Sequence, residues 1–192
     1  MNGTRSLAVG EKAEAEASVA GSRKSALESL FEEHHEAVFL AAYRLTGSVV
    51  DAEDVLQTVF LRLLSHSDFA FLKGNSGAYL RRAAVNAAVD LLRKRKSAPA
   101  PLDRLPEKAM RSAKDEREVP IEKQMLRQWL RVSLSRMSPR EAEIFSLRFL
   151  EGYRNLEIAA MLETAESTIA VTIHRLRSRL KNEAAELLGE RT

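Results

Sequence analysis

The chain contains no cysteine among its 192 residues, which excludes disulfides, thiolate metal sites and a cysteine nucleophile. That absence is compatible with a cytoplasmic protein, the location expected here. No apolar run is long enough to span a bilayer, so no membrane insertion of its own is expected. Residues 1–24 are rich in Ala, Glu, Gly and Ser and lack the continuous apolar centre of a signal peptide. They read as a flexible N-terminal tail, ending near residue 25. Charge of one sign is also missing. Thirty basic residues face 27 acidic ones, a net charge of +3, so any basic partner surface must come from local clustering. The pI near 9.3 therefore points only weakly to nucleic acid.

Signatures of chemistry are equally scarce. There is no phosphate loop, nucleophile elbow or paired-carboxylate pattern, and neither an enzyme nor a cofactor is expected. His34-His35, beside Glu32, Glu33 and Glu36, is the one candidate metal cluster. Adjacent helical residues point in different directions, whereas the familiar two-histidine zinc arrangement uses i, i+4 spacing. These are read as surface and boundary residues, and no metal is assigned.

What is present is helical periodicity almost throughout, with no stretch alternating like a strand. Leu27, Leu30, Phe31, Val38, Phe39 and Ala42 mark one face of an opening helix. Thr46-Gly47-Ser48 interrupts it, and Asp51 is the expected cap of the next helix. That helix carries Val55, Leu56, Val59, Phe60, Leu63 and Leu64 on its buried stripe. Residues 67–77 read as a loop, and a third helix runs from about Ala78 to Arg95. Residues 97–120 hold Pro99, Pro101 and Pro106 among alternating charges and read as a linker. Beyond Pro120 the helical pattern resumes through Ile121, Met125, Trp129, Leu130 and Leu134. The expected fold is all-α: two small helical domains, 26–96 and 121–192, joined by a flexible linker.

The second domain holds the clearest local signal. Ser138-Pro139-Arg140-Glu141 supplies a cap, a proline at the first helical position and the partner of a capping box. Ile144, Phe145, Leu147 and Leu150 then face inward, and Glu151-Gly152-Tyr153 ends the helix. Asn155 is read as the cap of a short helix through Leu162, and a break at 163–165 precedes a longer helix from Ser167 to Lys181. Short helix, tight turn and longer helix make a helix-turn-helix. Arg175, Arg177, Arg179 and Lys181 have no acid among them, which suits phosphate contacts. The same charges also suit a solvated helix C-terminus.

Two segments carry a family resemblance. Residues 51–64 (Asp-Ala-Glu-Asp-Val-Leu-Gln-Thr-Val-Phe-Leu-Arg-Leu-Leu) closely resemble the polymerase-binding helix of sigma factors. The resemblance implies docking on core RNA polymerase through Asp51, Glu53, Asp54 and Gln57. Read alone, this is an ordinary amphipathic helix with acids near its positive end. Residues 79–96 look like the family helix that opens and reads the minus-ten promoter element. Tyr79 stands where tryptophan is usual, and Arg81, Arg82 and Asn86 fall on DNA-contacting positions. Residues 71–76 match the loop that captures a flipped base. Phe71 would offer apolar surface there, while Lys73, Asn75 and Ser76 would offer polar groups. Phe71 serves equally well as core. Arg93, Lys94, Arg95 and Lys96 would hold phosphates, or simply end a basic helix before the linker.

The second domain follows the family's minus-thirty-five-binding domain in order, with Ser167, Thr168, Val171, His174, Arg175 and Arg177 as the implied DNA contacts. Two modules in this order, without a further domain, resemble the extracytoplasmic-function class. Such a protein is expected to partner core RNA polymerase, promoter DNA and an inhibitory anti-sigma factor, with catalysis left to the polymerase. Departures occur at Ala170 and Thr172, where basic residues are frequent, at Glu163 in place of a turn glycine, and at Arg154 in place of a capping serine. Losing two phosphate contacts is expected to flatten the salt dependence of binding by about two units of slope. The alternative is a helix-turn-helix regulator that binds DNA without acting as a polymerase subunit.

Overall fold

The computed structural model describes residues 4–66, 69, 72, 74–97 and 121–187, with the backbone alone at 4–20, 96–97, 121–123 and 187. Seven helices lie among these residues, and no strand does. They are α1 (Thr4–Thr46), α2 (Val49–Leu64), α3 (Ser76–Ser97), α4 (Ile121–Arg136), α5 (Pro139–Phe149), α6 (Asn155–Met161) and α7 (Glu166–Leu187).

Helix α1 starts at Thr4, well before the boundary near Ala26 that apolar periodicity suggests. The Ala, Glu and Lys residues ahead of that boundary are strong helix formers and continue the same helix backwards without a buried stripe to announce it. At its other end Gly47 takes φ +65, and its N–H donates to the Tyr43 carbonyl. Ser48, rather than Asp51, caps α2. Its extended backbone lets Oγ accept the Asp51 N–H at 3.3 Å. Asp51 thus sits in the first turn, with its carboxylate free to reach another helix.

Helices α1, α2 and α3 pack around Val38, Ala41, Ala42 and Leu45, then Val55, Val59 and Leu63, then Leu80, Ala84, Val85, Ala88 and Val89, all buried. Alanine on α1 and α3 allows close approach of the two axes. Each larger aliphatic side chain contributes roughly 1.5–3 kcal/mol by leaving water. Three residues assigned inward by periodicity are exposed instead: Phe31 and Leu64 in this domain, and Met125 on α4. Each lies at the margin of its helix's apolar stripe, where spacing alone does not fix the facing.

The capping box at Ser138 forms as its sequence specifies. Glu141 N–H donates to Ser138 Oγ at 3.3 Å, and Ser138 N–H donates to Glu141 Oε2 at 2.9 Å. That backbone donor holds the Glu141 carboxyl below its ordinary value, aided by Arg179 nearby. At α6 the cap is Arg154, not Asn155. The Arg154 N–H donates to Glu157 Oε2 at 2.6 Å. Only this half of a capping box can operate, because a guanidinium has no acceptor.

Ile158 and Ala159 from α6, with Leu162 at its C-terminal cap, meet Ile169, Ile173, Leu176 and Leu180 from α7 over Ile144 and Leu147 of α5. The turn between α6 and α7 is a Schellman motif. Thr164 N–H donates to the Ala159 carbonyl and Glu163 N–H to the Ala160 carbonyl, with Glu163 at φ +49. A side chain at this left-handed position carries a steric cost that glycine avoids. Glu163→Gly is therefore expected to stabilise the protein by about 0.5–1 kcal/mol, a rise of about 2 °C in Tm. Thermal unfolding followed by circular dichroism checks this.

The two domains pack directly against one another. Helix α3 contacts both α4 and α5, and the buried apolar residues, Leu134 and Met137 included, form one continuous cluster. The connecting residues 98–120 lie outside the described set.

Candidate nucleic-acid and polymerase interfaces

Helix α2 buries Val55, Val59 and Leu63 and turns Glu53, Gln57, Leu61 and Leu64 outward at i, i+4, i+8 and i+11. Leu61 is 63% exposed, unusual for leucine in an otherwise well-packed helix. The outward face is acidic and polar at its N-terminal end and apolar at its C-terminal end. Asp54 is half-buried beside it. The last turn is tied to α1, where the Arg23 guanidinium donates to the Leu64 carbonyl. Sequence reading assigned the acids and Gln57 to this face but missed Leu61. Its signal was an apolar residue one and two turns beyond Gln57 and Glu53.

Asp51 does not share that face. Its carboxylate is buried and accepts two hydrogen bonds from the Arg95 guanidinium of α3. The structure thus joins a residue assigned to polymerase binding with one assigned to DNA.

The residues assigned to minus-ten reading divide into two groups. Asn75 and Ser76 lie at the start of α3, where Ser76 Oγ and His34 Nε2 share a 2.7 Å hydrogen bond. His35 goes elsewhere, to the Phe31 carbonyl at 2.9 Å, with its ring stacked on Phe31. Tyr79 and Lys94 are exposed. Phe71 and Lys73 lie outside the described residues, as does the Lys96 side chain.

Arg81, Arg82, Asn86 and Arg93 form the second group, and all four face the second domain. Arg82 Nε donates to Glu143 Oε1 at 2.7 Å, and Asn86 Nδ2 donates to the same oxygen at 2.9 Å. Arg140, one turn before Glu143 on α5, donates to its Oε2 at 3.3 Å. Glu143 is only 6% exposed. Arg82 also donates to the Met161 carbonyl and Arg140 to the Leu162 carbonyl, both at 2.8 Å, satisfying the C-terminal end of α6. Arg93 donates to the Met137 carbonyl at 2.6 Å, and Arg81 to the Tyr153 hydroxyl at 3.3 Å. Alongside runs a cleft of about 340 Å³, lined by Val89, Asp90 and Pro139 together with Arg82, Arg93 and Arg140. Two further links join the domains. Arg44 meets the buried Glu151 carboxylate at 2.8 Å, and Arg131 donates to the Thr46 carbonyl at 2.7 Å.

Helix α7 is arranged differently. Ile169, Ile173, Leu176 and Leu180 face inward, while Ser167, Thr168, Val171, His174, Arg175 and Arg177 are all exposed. This is the second helix of the helix-turn-helix, and its outer surface is open along three turns. The exposed side chains offer hydroxyls, an imidazole, an apolar branch and two guanidiniums, a set suited to base edges and phosphates.

No helix among the described residues is long and apolar enough to cross a membrane. Two family descriptions match the chain in order: Sigma-70 region 2 over residues 30–98 and Sigma-70, region 4 over residues 127–180. The RNA polymerase sigma-E factor of Streptomyces avermitilis is 32% identical over 157 residues, covering 80% of this chain and 84% of that protein. The ECF RNA polymerase sigma factor SigM of Mycobacterium tuberculosis is 31% identical over 183 residues, covering 93% and 86%. A third relative, SigE of Mycolicibacterium smegmatis, is 29% identical over 169 residues, covering 85% and 63%. With residues 30–98 answering to region 2 and residues 127–180 to region 4, the chain belongs to the extracytoplasmic-function branch of the sigma-70 family, the RNA polymerase sigma factors.

Proposed function

We propose that this sigma factor divides its work among three surfaces: the outward face of α2 for core RNA polymerase, α3 with the loop before it for the minus-ten element, and the outward face of α7 for the minus-thirty-five element. The family role is transcription initiation, and its members supply binding rather than catalysis. The observation that carries the minus-thirty-five assignment is the open surface of α7, on which all six expected contacts are exposed. The polymerase assignment is supported by Glu53, Gln57, Leu61 and Leu64 lying along one line. A central apolar anchor beside polar residues is the usual anatomy of a protein interface.

The mechanism follows from the chemistry of these faces. Helix α7 fixes register on duplex DNA through base edges and phosphates. Helix α3 and its preceding loop hold unpaired bases, so that melting becomes favourable. Core polymerase tethers both sites at high effective concentration, letting two weak contacts act together. An inhibitory anti-sigma protein and a cytoplasmic setting belong to the same proposal.

In vitro transcription by bacterial core polymerase on a pool of upstream genomic fragments tests it. New start sites that appear only with this protein, and that Arg175→Ala shifts or weakens, are the expected result. Stimulation insensitive to every α7 substitution would remove the minus-thirty-five assignment. Absence of core binding would remove the α2 assignment.

A further inference from the structure

We infer that His34, on α1, is a positioning residue for minus-ten reading: through the Ser76 hydroxyl it holds the loop before α3 in its reading shape. The inference rests on the assignment of that loop to the minus-ten element.

The loop has two anchors and a short span between them. The first anchor is Leu72, 4% exposed and part of the buried cluster, whose N–H donates to the Phe69 carbonyl at 2.9 Å. The second is Ser76, whose Oγ lies 2.7 Å from His34 Nε2. Between them the chain turns sharply. Asn75 N–H donates to the Leu72 carbonyl at 3.1 Å, and Gly74 takes φ +85, where an L side chain would be strained. The Asn75 carbonyl accepts the Tyr79 N–H at 3.1 Å and so opens the backbone ladder of α3. Asn75 is exposed. Its side chain is therefore presented to solvent from a backbone fixed on both sides, as selection among base edges requires.

His34 suits the anchoring role. Its side chain is 12% exposed, so water competes weakly for Nε2. A Cβ placed on Gly77 would meet Cε1 at 3.4 Å and Nδ1 at 3.7 Å, so the imidazole also lies against the first turn of α3. Val38, Ala41 and Ala42, one and two turns further along α1, are buried and fix the helix that carries the ring. The Glu33 carboxylate, 3.6 Å from Nε2, is itself open to water and adds little. The role of Ser76 changes with this reading: its hydroxyl holds the loop and acts on DNA only through the shape of the loop.

The test uses the full-length protein with core polymerase, on a promoter taken from the genomic-fragment pool. Its minus-ten element is randomised on barcoded templates, and the yield of each transcript gives the base preference. The variants are His34→Ala, Ser76→Ala, the two combined, and His34→Gln, each checked for folding by circular dichroism. His34→Ala and Ser76→Ala are each expected to reduce the preference for the best base about fivefold at one or more minus-ten positions, the worth of one hydrogen bond. The double variant is expected to lose no more than either single one. His34→Gln, whose amide extends to about where Nε2 lies, is expected to keep most of the preference. Core affinity and minus-thirty-five preference stay within about twofold throughout, which general loosening of the fold would not allow.

Unchanged minus-ten preference in both single variants would overturn the inference. So would a loss from Ser76→Ala that persists in full in the His34→Ala background, since Ser76 would then touch DNA without His34. If His34→Ala does not fold, the remaining pair decides: preference lost in Ser76→Ala and kept in His34→Gln supports the inference, and any other pair of results overturns it. Failure of the loop assignment has its own signature: Asn75→Ala and Tyr79→Ala would both leave minus-ten preference intact.

Discussion

Replacing Leu61 with glutamate is expected to weaken binding to core RNA polymerase about 30-fold, with Tm unchanged to within about 2 °C. The two halves of this expectation come from one number. At 63% exposed, Leu61 contributes little to the core, so its loss falls among surface substitutions worth under about 0.5 kcal/mol. On the proposed docking face the same side chain is the central apolar anchor, flanked by Gln57 and Leu64. A charge buried there without a partner costs about 2 kcal/mol of binding. Titration of labelled core polymerase, beside thermal unfolding of the free protein, checks both halves. Gln57→Ala, at the polar edge, is expected to cost no more than about threefold. Equal losses at the two positions would argue against an apolar centre.

The second large effect is on folding. Arg95→Ala is expected to destabilise region 2 by about 3 kcal/mol, because Asp51 is left as a buried carboxylate without its cation. The Arg95 side chain is 60% exposed, which lets water partly replace it and keeps the loss near the lower end for buried pairs. Asp51→Asn in the Arg95→Ala background is expected to recover about half of that loss, since an amide is less costly to bury than a charge. Chemical denaturation of the four proteins gives the cycle directly. If Arg95 were only a phosphate contact, Arg95→Ala would leave stability unchanged, and the second substitution would have nothing to rescue.

Local signals in the sequence were reliable where a few adjacent residues carry the whole geometry. The Ser138–Glu141 capping box, the break at 163–165 and the inward stripe of α7 are of this kind. Neighbouring candidates were harder to separate. Ser48 and Asp51 are both good caps, and only the extended backbone of Ser48 decides between them. Arg154 precedes Asn155 at α6, and there a backbone donor to Glu157 made the choice.

Long-range pairing left no local trace. Arg82 and Glu143 are 61 residues apart, and each has a satisfactory local explanation, one as a DNA contact and the other as a polar residue of an exposed-looking helix turn. Asp51 and Arg95, 44 residues apart, are the same case. A charge on a helix surface reads alike whether its partner is solvent, nucleic acid or another helix. The two modules could therefore be recognised separately from sequence, while the contact between them could not.

Sharing of the Glu143 carboxylate bears on which groups would lose a partner if the domains were separated. One oxygen serves Arg82 and Asn86 across the domain boundary, and the other serves Arg140 on its own helix. Separation therefore leaves the anion with a resident cation, and the carbonyls of Met137 and Met161 meet water instead of guanidinium. No bare ion has to cross a dry interface on the way. What separation would have to expose to water is the apolar part of the boundary, where Leu134 and Met137 join the buried cluster of α1 to α3.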